Sequence, residues 1–357
     1  MRIGIIGAGQ LGQMLGFAAR DLGVTCRFID PGDRPPAAVC GDVIKRPFDD
    51  DRALAELAAT SDVITYEFEN VPVEALHKIE GQVPIYPPPE ALRHSQDRLD
   101  EKQLFESLSI PLPGYRAVDC REQLVEAVDA LELPLVIKTR RLGYDGKGQF
   151  VLREAGQTDN AWQAIGGTPL IAEQWVPFDY EVSCIGVRNA DGEIAMYPLS
   201  RNVHEGGILR TSRSPVEAPA LVAKAENHVR RLLEHLDYVG VLALELFVCG
   251  DDLLANEFAP RVHNSGHWSI EGSATSQFEN HLRAIMNWPL GSTASRGHAG
   301  MINLIGEIPA SARTLQGAVL HDYGKSPRPG RKLGHITVTA PAAAERDALL
   351  DDIIKSF

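Results

Sequence analysis

Hydrophobic spacing in the first 95 residues switches repeatedly between two periods. Residues 3–6 and 63–66 are short continuous apolar runs, and residues 25–29 read as a third strand. Residues 11–22, 52–59 and 72–79 instead carry apolar positions at helical spacing. Alternation of this kind predicts a doubly wound parallel sheet. A proline-rich stretch, 84–89, predicts a linker or boundary. A helix over 97–108 follows and stops before Pro111 and Pro113. Residues 110–170 then read as a small α+β unit, and 170–290 as antiparallel strands with helices at 220–236 and 275–286. The last segment predicts strands near 299–304, 318–320 and 335–340 and a closing helix over 342–354. The chain is thus expected to be a mixture of α/β and α+β, in four parts: 1–96, 97–170, 171–291 and 292–357.

Composition narrows the function. The 357 residues carry a net charge of −13, which argues against a nucleic-acid partner, since that needs a basic face. No stretch of about 18 consecutive apolar residues is present, and none is expected to span a membrane. The chain opens directly into a strand without a signal-peptide pattern, and its five scattered cysteines lack metal or disulfide spacing. A reducing, cytoplasmic setting is expected.

The most telling local pattern is Gly143-Tyr144-Asp145-Gly146-Lys147-Gly148-Gln149, between strand-like runs 133–138 and 149–152. Strand, glycine loop, strand is a hairpin, unlike the strand–loop–helix of a P-loop. Glycines let backbone N–H groups close on an anion, and Lys138 and Lys147 add charge on either side. The pattern suits a lid over a nucleotide triphosphate; the plainer alternative is a surface hairpin. Downstream, a strand at 170–172 runs into Glu173-Gln174-Trp175-Val176, an edge that can offer backbone groups and a carboxylate to a purine base. Glu181, eight residues after Glu173, could accept from ribose hydroxyls. His204 lies in a turn-rich segment, where a lone histidine is more often structural.

Three further clusters matter. Gly7-Ala8-Gly9-Gln10-Leu11-Gly12 follows a strand and opens a helix, with Asp30 ending the next strand. That matches a dinucleotide fingerprint, but a helix N-terminus behind glycines accepts any anion, a substrate phosphate included, and the glycines could serve packing alone. Segments 238–249 and 253–258 flank Gly250-Asp251-Asp252. A three-residue loop there sets Cys249 opposite Leu253, Phe247 opposite Ala255 and Glu245 opposite Glu257. Facing carboxylates about 5 Å apart repel unless a cation or proton lies between them, and hard oxygen ligands favour Mg²⁺. A slipped register would leave only an acidic face. Asn256 falls on the opposite face unless the strand bulges. Finally, the segment from Tyr323 to His335 packs Lys325, Arg328, Arg331, Lys332 and His335 into one Pro/Gly-shaped loop, which suits a phosphate monoester or is merely a solvated loop.

Together with Thr65–Asn70, Asp97-Arg98 and the run Asn256-Glu257-Phe258-Ala259-Pro260-Arg261-Val262-His263-Asn264-Ser265-Gly266-His267, these segments resemble the ATP-grasp superfamily. More narrowly, they are similar to the 5-(carboxyamino)imidazole ribonucleotide synthetases of purine synthesis. The resemblance implies ATP with Mg²⁺ or Mn²⁺, and aminoimidazole ribonucleotide and bicarbonate as substrates. It also implies a homodimer. ATP contacts implied are Arg98, Lys138, Gly143, Tyr144, Asp145, Gly146, Lys147, Gly148, Gln149, Glu173, Gln174, Trp175, Val176, Glu181, His204, Asn256 and Glu257. Metal ligands implied are Glu245 and Glu257, and ribonucleotide contacts are Gln10, Leu11, Glu67, Asn264, Lys325, Arg331 and Lys332. Tyr144, Asp145, Lys147 and Lys325 are the candidate catalytic groups. Rival readings are a formate-using ligase of the same superfamily, an NAD-dependent oxidoreductase built on Gly7–Gly12, and a nucleotide-binding protein without catalysis.

Overall fold

The structure, a computed structural model, describes residues 1–143 and 148–357. The N-terminal apolar runs form a four-stranded parallel sheet in the order Gly41–Ile44, Thr25–Ile29, Arg2–Ile6, Val63–Tyr66. The strand at 41–44 is half-buried and carries only two apolar residues, Val43 and Ile44, so its pattern is weak. The proline-rich stretch is not a free linker. Ile85 bridges Ile64 in parallel, extending the sheet edge, and Pro89 opens a helix over Pro89–Gln96. Proline is tolerated there because the first helical turn has no intrahelical use for its N–H.

A second, four-stranded sheet is antiparallel throughout: Tyr115–Val118, Leu170–Gln174, Leu135–Thr139, Gln149–Leu152. Helices Arg121–Ala130 and Thr158–Ile165 cover it around Leu124, Leu135, Ile137, Ala161 and Ala172. Strand Leu170–Gln174 lies wholly in this sheet, so a division at 170/171 would cut it.

The third sheet has nine strands. Its path runs Asp252–Ala259, Gly240–Cys249, Tyr180–Arg188, Ser200–Glu205, Ile208–Ser214, His298–Ile305, Lys332–Ala340, Ala318–Asp322, with Ile194–Met196 paired to Tyr180–Arg188. It passes without a break through the expected boundary at 291/292. Helix Pro219–His235 and helix Arg98–Ser107 share one core with it, through Leu104, Phe105, Val229 and Leu242. Helix Arg98–Ser107 therefore packs on the large sheet rather than on the small one that follows it in sequence. Helix Gln277–Ile285 and the N-terminal helix Gln10–Asp21 meet in a second core. His281 fastens that junction: its Nδ1 accepts from Val241 N (3.1 Å), and its Nε2 lies 2.9 Å from Thr65 Oγ1. The closing helix, Ala343–Lys355, covers the end of the sheet through Leu350 and Ile353.

Caps follow the sequence. Asp50 accepts from Ala53 N, Asp97 from Leu99 N and Ser276 from Glu279 N at the starts of their helices.

Candidate active site

Hairpin register decides where the acidic pair goes. The turn uses two residues, Gly250 and Asp251, instead of three, so Cys249 pairs with Asp252 and Phe247 with Leu254. Gly250 adopts φ +59°, which glycine reaches without steric cost, and its N–H donates to Asp179. The register slips by one and is restored at a bulge between Glu245 and Leu246, where Asn256 is the additional residue. Glu245 thereby faces Glu257 as the sequence predicts, and Asn256 and Glu257 both line the same cavity.

Two cavities meet at this pair. The larger, about 470 Å³, is bounded by Lys138, Gly148, Gln149, Trp175, Glu181, His204 and Asn256. Its size is in the range of small-molecule sites, roughly 300–1,000 Å³. The smaller is bounded by Gln10, Leu11, Gly143, Arg140 and Arg261. Arg98, Glu245, Glu257, His263, Asn264 and Lys332 line both and form the wall between them.

Charge on the wall is tightly paired. Arg98 Nη1 donates to Glu257 Oε2 at 2.9 Å, and its Nη2 lies 3.4 Å from the Gly143 carbonyl. Against burial, Arg98 holds Glu257 below the usual carboxylate range, with help from Lys138 and Lys102. Glu245 moves the other way: burial, and then the charge of Glu257, push it up to about 7, against the opposing charges of His204 and Lys332. Two carboxylates driven apart in this way report a field that a cation would relieve. His263 Nε2 stands 3.7 Å from Glu245 Oε1, but burial and Arg261 keep that imidazole neutral, well below its ordinary value.

On the nucleotide-like side, Lys138 Nζ donates to Glu173 Oε2 at 2.9 Å, and Lys102 Nζ lies 3.7 Å from the same oxygen. Burial would raise Glu173, yet Lys102, Lys138 and Arg98 bring it down to about 2. Burial lowers Lys138 more than Glu173 raises it. His204 donates from Nδ1 to Glu181 at 2.7 Å; this bond and the charge of Glu245 outweigh burial and raise it. A side recess is bounded by Val136, Gln174, Trp175, Val176, Phe178 and Phe247. There the rings of Phe178 and Phe247 stack with centroids 4.8 Å apart. This flat apolar slot beside Glu173 suits a base.

The glycine loop does not hold an open anion seat. Gly9 N donates to Glu67 Oε1 at 2.7 Å, and Gly12 N lies 3.4 Å from Glu67 Oε2. Ala8 N donates to Asp30 at 3.0 Å. A Cβ on Gly7 or Gly9 would come within 2.7 or 2.8 Å of Glu67, so these glycines make room for that carboxylate. The protein's own acids take the place a dinucleotide pyrophosphate needs, which removes the basis of the oxidoreductase reading.

Lys325 does not itself line the smaller cavity but stands behind Gln10, which does: its ammonium donates to Gln10 Oε1 and lies 5.6 Å from the centre of the Tyr323 ring. Burial, then Arg331, bring it down to about 8. Arg331 instead donates to the Ser326 carbonyl at 3.1 Å and stands off the wall that Lys332 reaches. Asn264 exchanges amide hydrogen bonds with Asn303, at 3.0 and 2.6 Å. Tyr144, Asp145, Gly146 and Lys147 lie outside the described residues.

Several residues of the site carry no sequence-level assignment: Glu101, Lys102, Arg261, His263, Phe178 and Phe247. The first two had a usable signal. Positions 98, 101, 102 and 105 share one helix face, and Phe105 marks that face as buried. Charges on an apolar stripe call for partners.

Comparison with known proteins identifies the family. Models described as the ATP-grasp domain, the ribonucleotide synthetase preATP-grasp domain and the phosphoribosylaminoimidazole carboxylase C-terminal domain match residues 103–278, 1–96 and 299–348. The N5-carboxyaminoimidazole ribonucleotide synthase of Pseudomonas aeruginosa is 47% identical over 355 residues, 99% of this chain and 98% of its own. That of Brucella melitensis is 49% identical over 349 residues, 95% and 96% of the two chains. The crystal structure of N5-carboxyaminoimidazole ribonucleotide synthetase from Thermus thermophilus superposes with a TM-score of 0.94 at 50% identity, covering 98% and 96%. The Aspergillus clavatus enzyme in complex with ADP and 5-aminoimidazole ribonucleotide gives 0.92 at 32% identity, covering 99% and 97%. With relatives this similar along nearly its whole length, the chain belongs to the N5-carboxyaminoimidazole ribonucleotide synthase family.

Proposed function

We propose that this protein carboxylates 5-aminoimidazole ribonucleotide on its exocyclic amine, using ATP and bicarbonate, through a carboxyphosphate intermediate. The observation that carries this reading is the shared wall: a nucleotide-sized cavity and a second polar cavity meet at Glu245, Glu257 and Arg98. ATP lies along Lys138, Glu181 and His204 with its base in the Phe178–Phe247 recess, which points its terminal phosphate at the wall. Bicarbonate sits on the other side, near Arg261 and His263.

Lys138 and Arg98 neutralise the charge that builds as a bicarbonate oxygen attacks the γ-phosphorus and ADP departs. Such transfers depend on positioning and charge compensation more than on covalent help. Glu245 and Glu257 fit Mg²⁺: they face one another, burial and then the facing charge drive Glu245 up, and among the described residues no third acidic, histidine or cysteine ligand joins them. An ion held there would need phosphate oxygens and water for the rest of its shell. The bound ion would neutralise the β- and γ-phosphate oxygens.

The ribonucleotide occupies the smaller cavity, its phosphate toward Lys325 and Lys332 and its amine toward the wall. Glu67 supports this side from beneath by fixing the loop that carries Gln10 and Leu11. The strands suggest dividing the chain after Gln174, with 180–340 as one sheet-based unit.

The decisive test is ADP release in bicarbonate buffer with and without aminoimidazole ribonucleotide. Release that rises severalfold with the ribonucleotide, and not with formate in place of bicarbonate, is expected; dependence on formate would indicate the related ligase. A second expectation concerns pH. Lys325 is charged below about 8 and neutral above it. The charged form binds phosphate, so KM for the ribonucleotide is expected to rise as pH passes upward through 8. Lys325→Arg should flatten that rise, since a guanidinium stays protonated. A KM independent of pH from below to well above that value in the unaltered protein would remove Lys325 from the phosphate site.

A further inference from the structure

The bulge that brings Glu257 to the cavity is not self-supporting. A β-bulge leaves one residue out of the ladder, so its backbone groups need partners elsewhere. On one side of the bulge Ala255 N donates to the Pro111 carbonyl at 2.7 Å, and from Asn256 onward the partners come from one helix. Lys102, fully buried, donates to the Asn256 carbonyl. Glu101, 2% exposed, accepts from Phe258 N at 2.7 Å. Arg98, one turn earlier, holds the Glu257 carboxylate itself. Three side chains from two successive turns thus meet three successive strand residues, 256, 257 and 258. Lys102 also stands 3.7 Å from Glu173, the partner of Lys138. A buried lysine and a buried glutamate are costly to keep in a fold, and nothing in the reaction proposed above uses either one.

We propose that Glu101 and Lys102 are positioning residues, which clamp the Asn256 bulge so that Glu257 is set opposite Glu245 before any metal arrives. The inference rests on the reading of Glu245 and Glu257 as metal ligands. The clamp acts through geometry: Glu101 serves as a backbone acceptor and Lys102 as a backbone donor, so neither needs to touch nucleotide or metal. A strand without the bulge would turn Glu257 to the other face, because side chains alternate along a strand.

The test uses Mn²⁺ as the probe, measured by electron paramagnetic resonance on the whole protein with ADP present. Lys102→Met and Glu101→Met keep the length of the side chain and remove the donor or the acceptor. Each is expected to weaken Mn²⁺ binding at least tenfold in protein that retains its thermal transition; unchanged binding overturns the proposal. Glu101→Gln keeps an acceptor for Phe258 N and is expected to stay within about twofold; a tenfold loss there would mean that charge and not geometry matters. Amide exchange across 254–259 in the unaltered protein needs no variant to fold. Slow exchange without metal or nucleotide supports a preset bulge, and fast exchange that slows only when Mn²⁺ is added overturns it. Glu257→Gln separates the two levels of inference: it is expected to abolish Mn²⁺ binding, and wild-type binding by that variant would overturn the metal assignment and the clamp's purpose with it.

Discussion

Glu257→Gln is expected to lower kcat/KM for ATP by roughly a thousandfold, about 4 kcal/mol of lost transition-state stabilisation. The amide keeps the size of the side chain and can still accept from Arg98, so the fold has no reason to fail. Removing that charge also relieves Glu245, which burial and Glu257 now push up to about 7. Arg98 at the same time loses the counter-charge that holds Glu257 below the usual range, so the thermal midpoint is expected to fall somewhat while activity falls far more. Steady-state ADP release and a melting curve on the same preparation check both halves. Activity within tenfold of the unaltered protein would end the assignment of the carboxylate pair to Mg²⁺.

The second large effect separates the two cavities. Lys138→Ala is expected to depress kcat by roughly 10²–10³, the range for removing one preorganised electrostatic group from a transition state. The buried Glu173 is not left alone by this change, since Lys102 remains 3.7 Å away, so protein should still be recovered folded. Lys325→Ala should leave kcat and the KM for ATP nearly unchanged and raise the KM for the ribonucleotide at least tenfold. That corresponds to one charge-assisted contact, about 1.5–3 kcal/mol. Initial rates with each substrate varied in turn measure all four quantities. If Lys325→Ala shifted both KM values equally, the basic loop would not be a dedicated phosphate site.

Much of this architecture was legible in the chain because burial is periodic. Val63–Tyr66 and Thr25–Ile29 are strands where the pattern puts them, and helices such as Pro219–His235 begin and end within about one residue of their predicted limits. The facing of Glu245 and Glu257 was also legible, but for an incomplete reason. A three-residue turn and a regular ladder give the same opposition as a two-residue turn followed by a bulge. The two differ at Cys249, Phe247 and Asn256, and turn length is set by backbone conformation at Gly250, which pattern does not report. The same limit explains the glycine loop. Its spacing announces donors, whereas what satisfies them, Glu67, lies 55 or more residues away and is brought in by the adjacent strand. Pro84–Pro89 misleads for the opposite reason. Prolines signal interruption, yet the short extended piece they frame is held to Val63–Tyr66 by a single bridge. Charges on the helix Arg98–Ser107 were readable as anomalies but not as a clamp, because their partners are backbone atoms of a distant strand.

The unbroken path of the nine-stranded sheet has a mechanical consequence. Both carboxylates, His204 and Lys332 hang from one hydrogen-bonded ladder that runs from Asp252–Ala259 to Ala318–Asp322. A close-packed slab of this kind is stiff and transmits strain instead of absorbing it. The four-stranded sheet bearing Lys138 is a separate ladder. It meets the slab through such ties as the Lys102–Glu173 ion pair and the hydrogen bond from Arg98 N to the Arg140 carbonyl. Compliance is therefore distributed unevenly. The slab that carries Glu245 and Glu257 is expected to hold its shape, and the separate sheet that carries Lys138 to yield first.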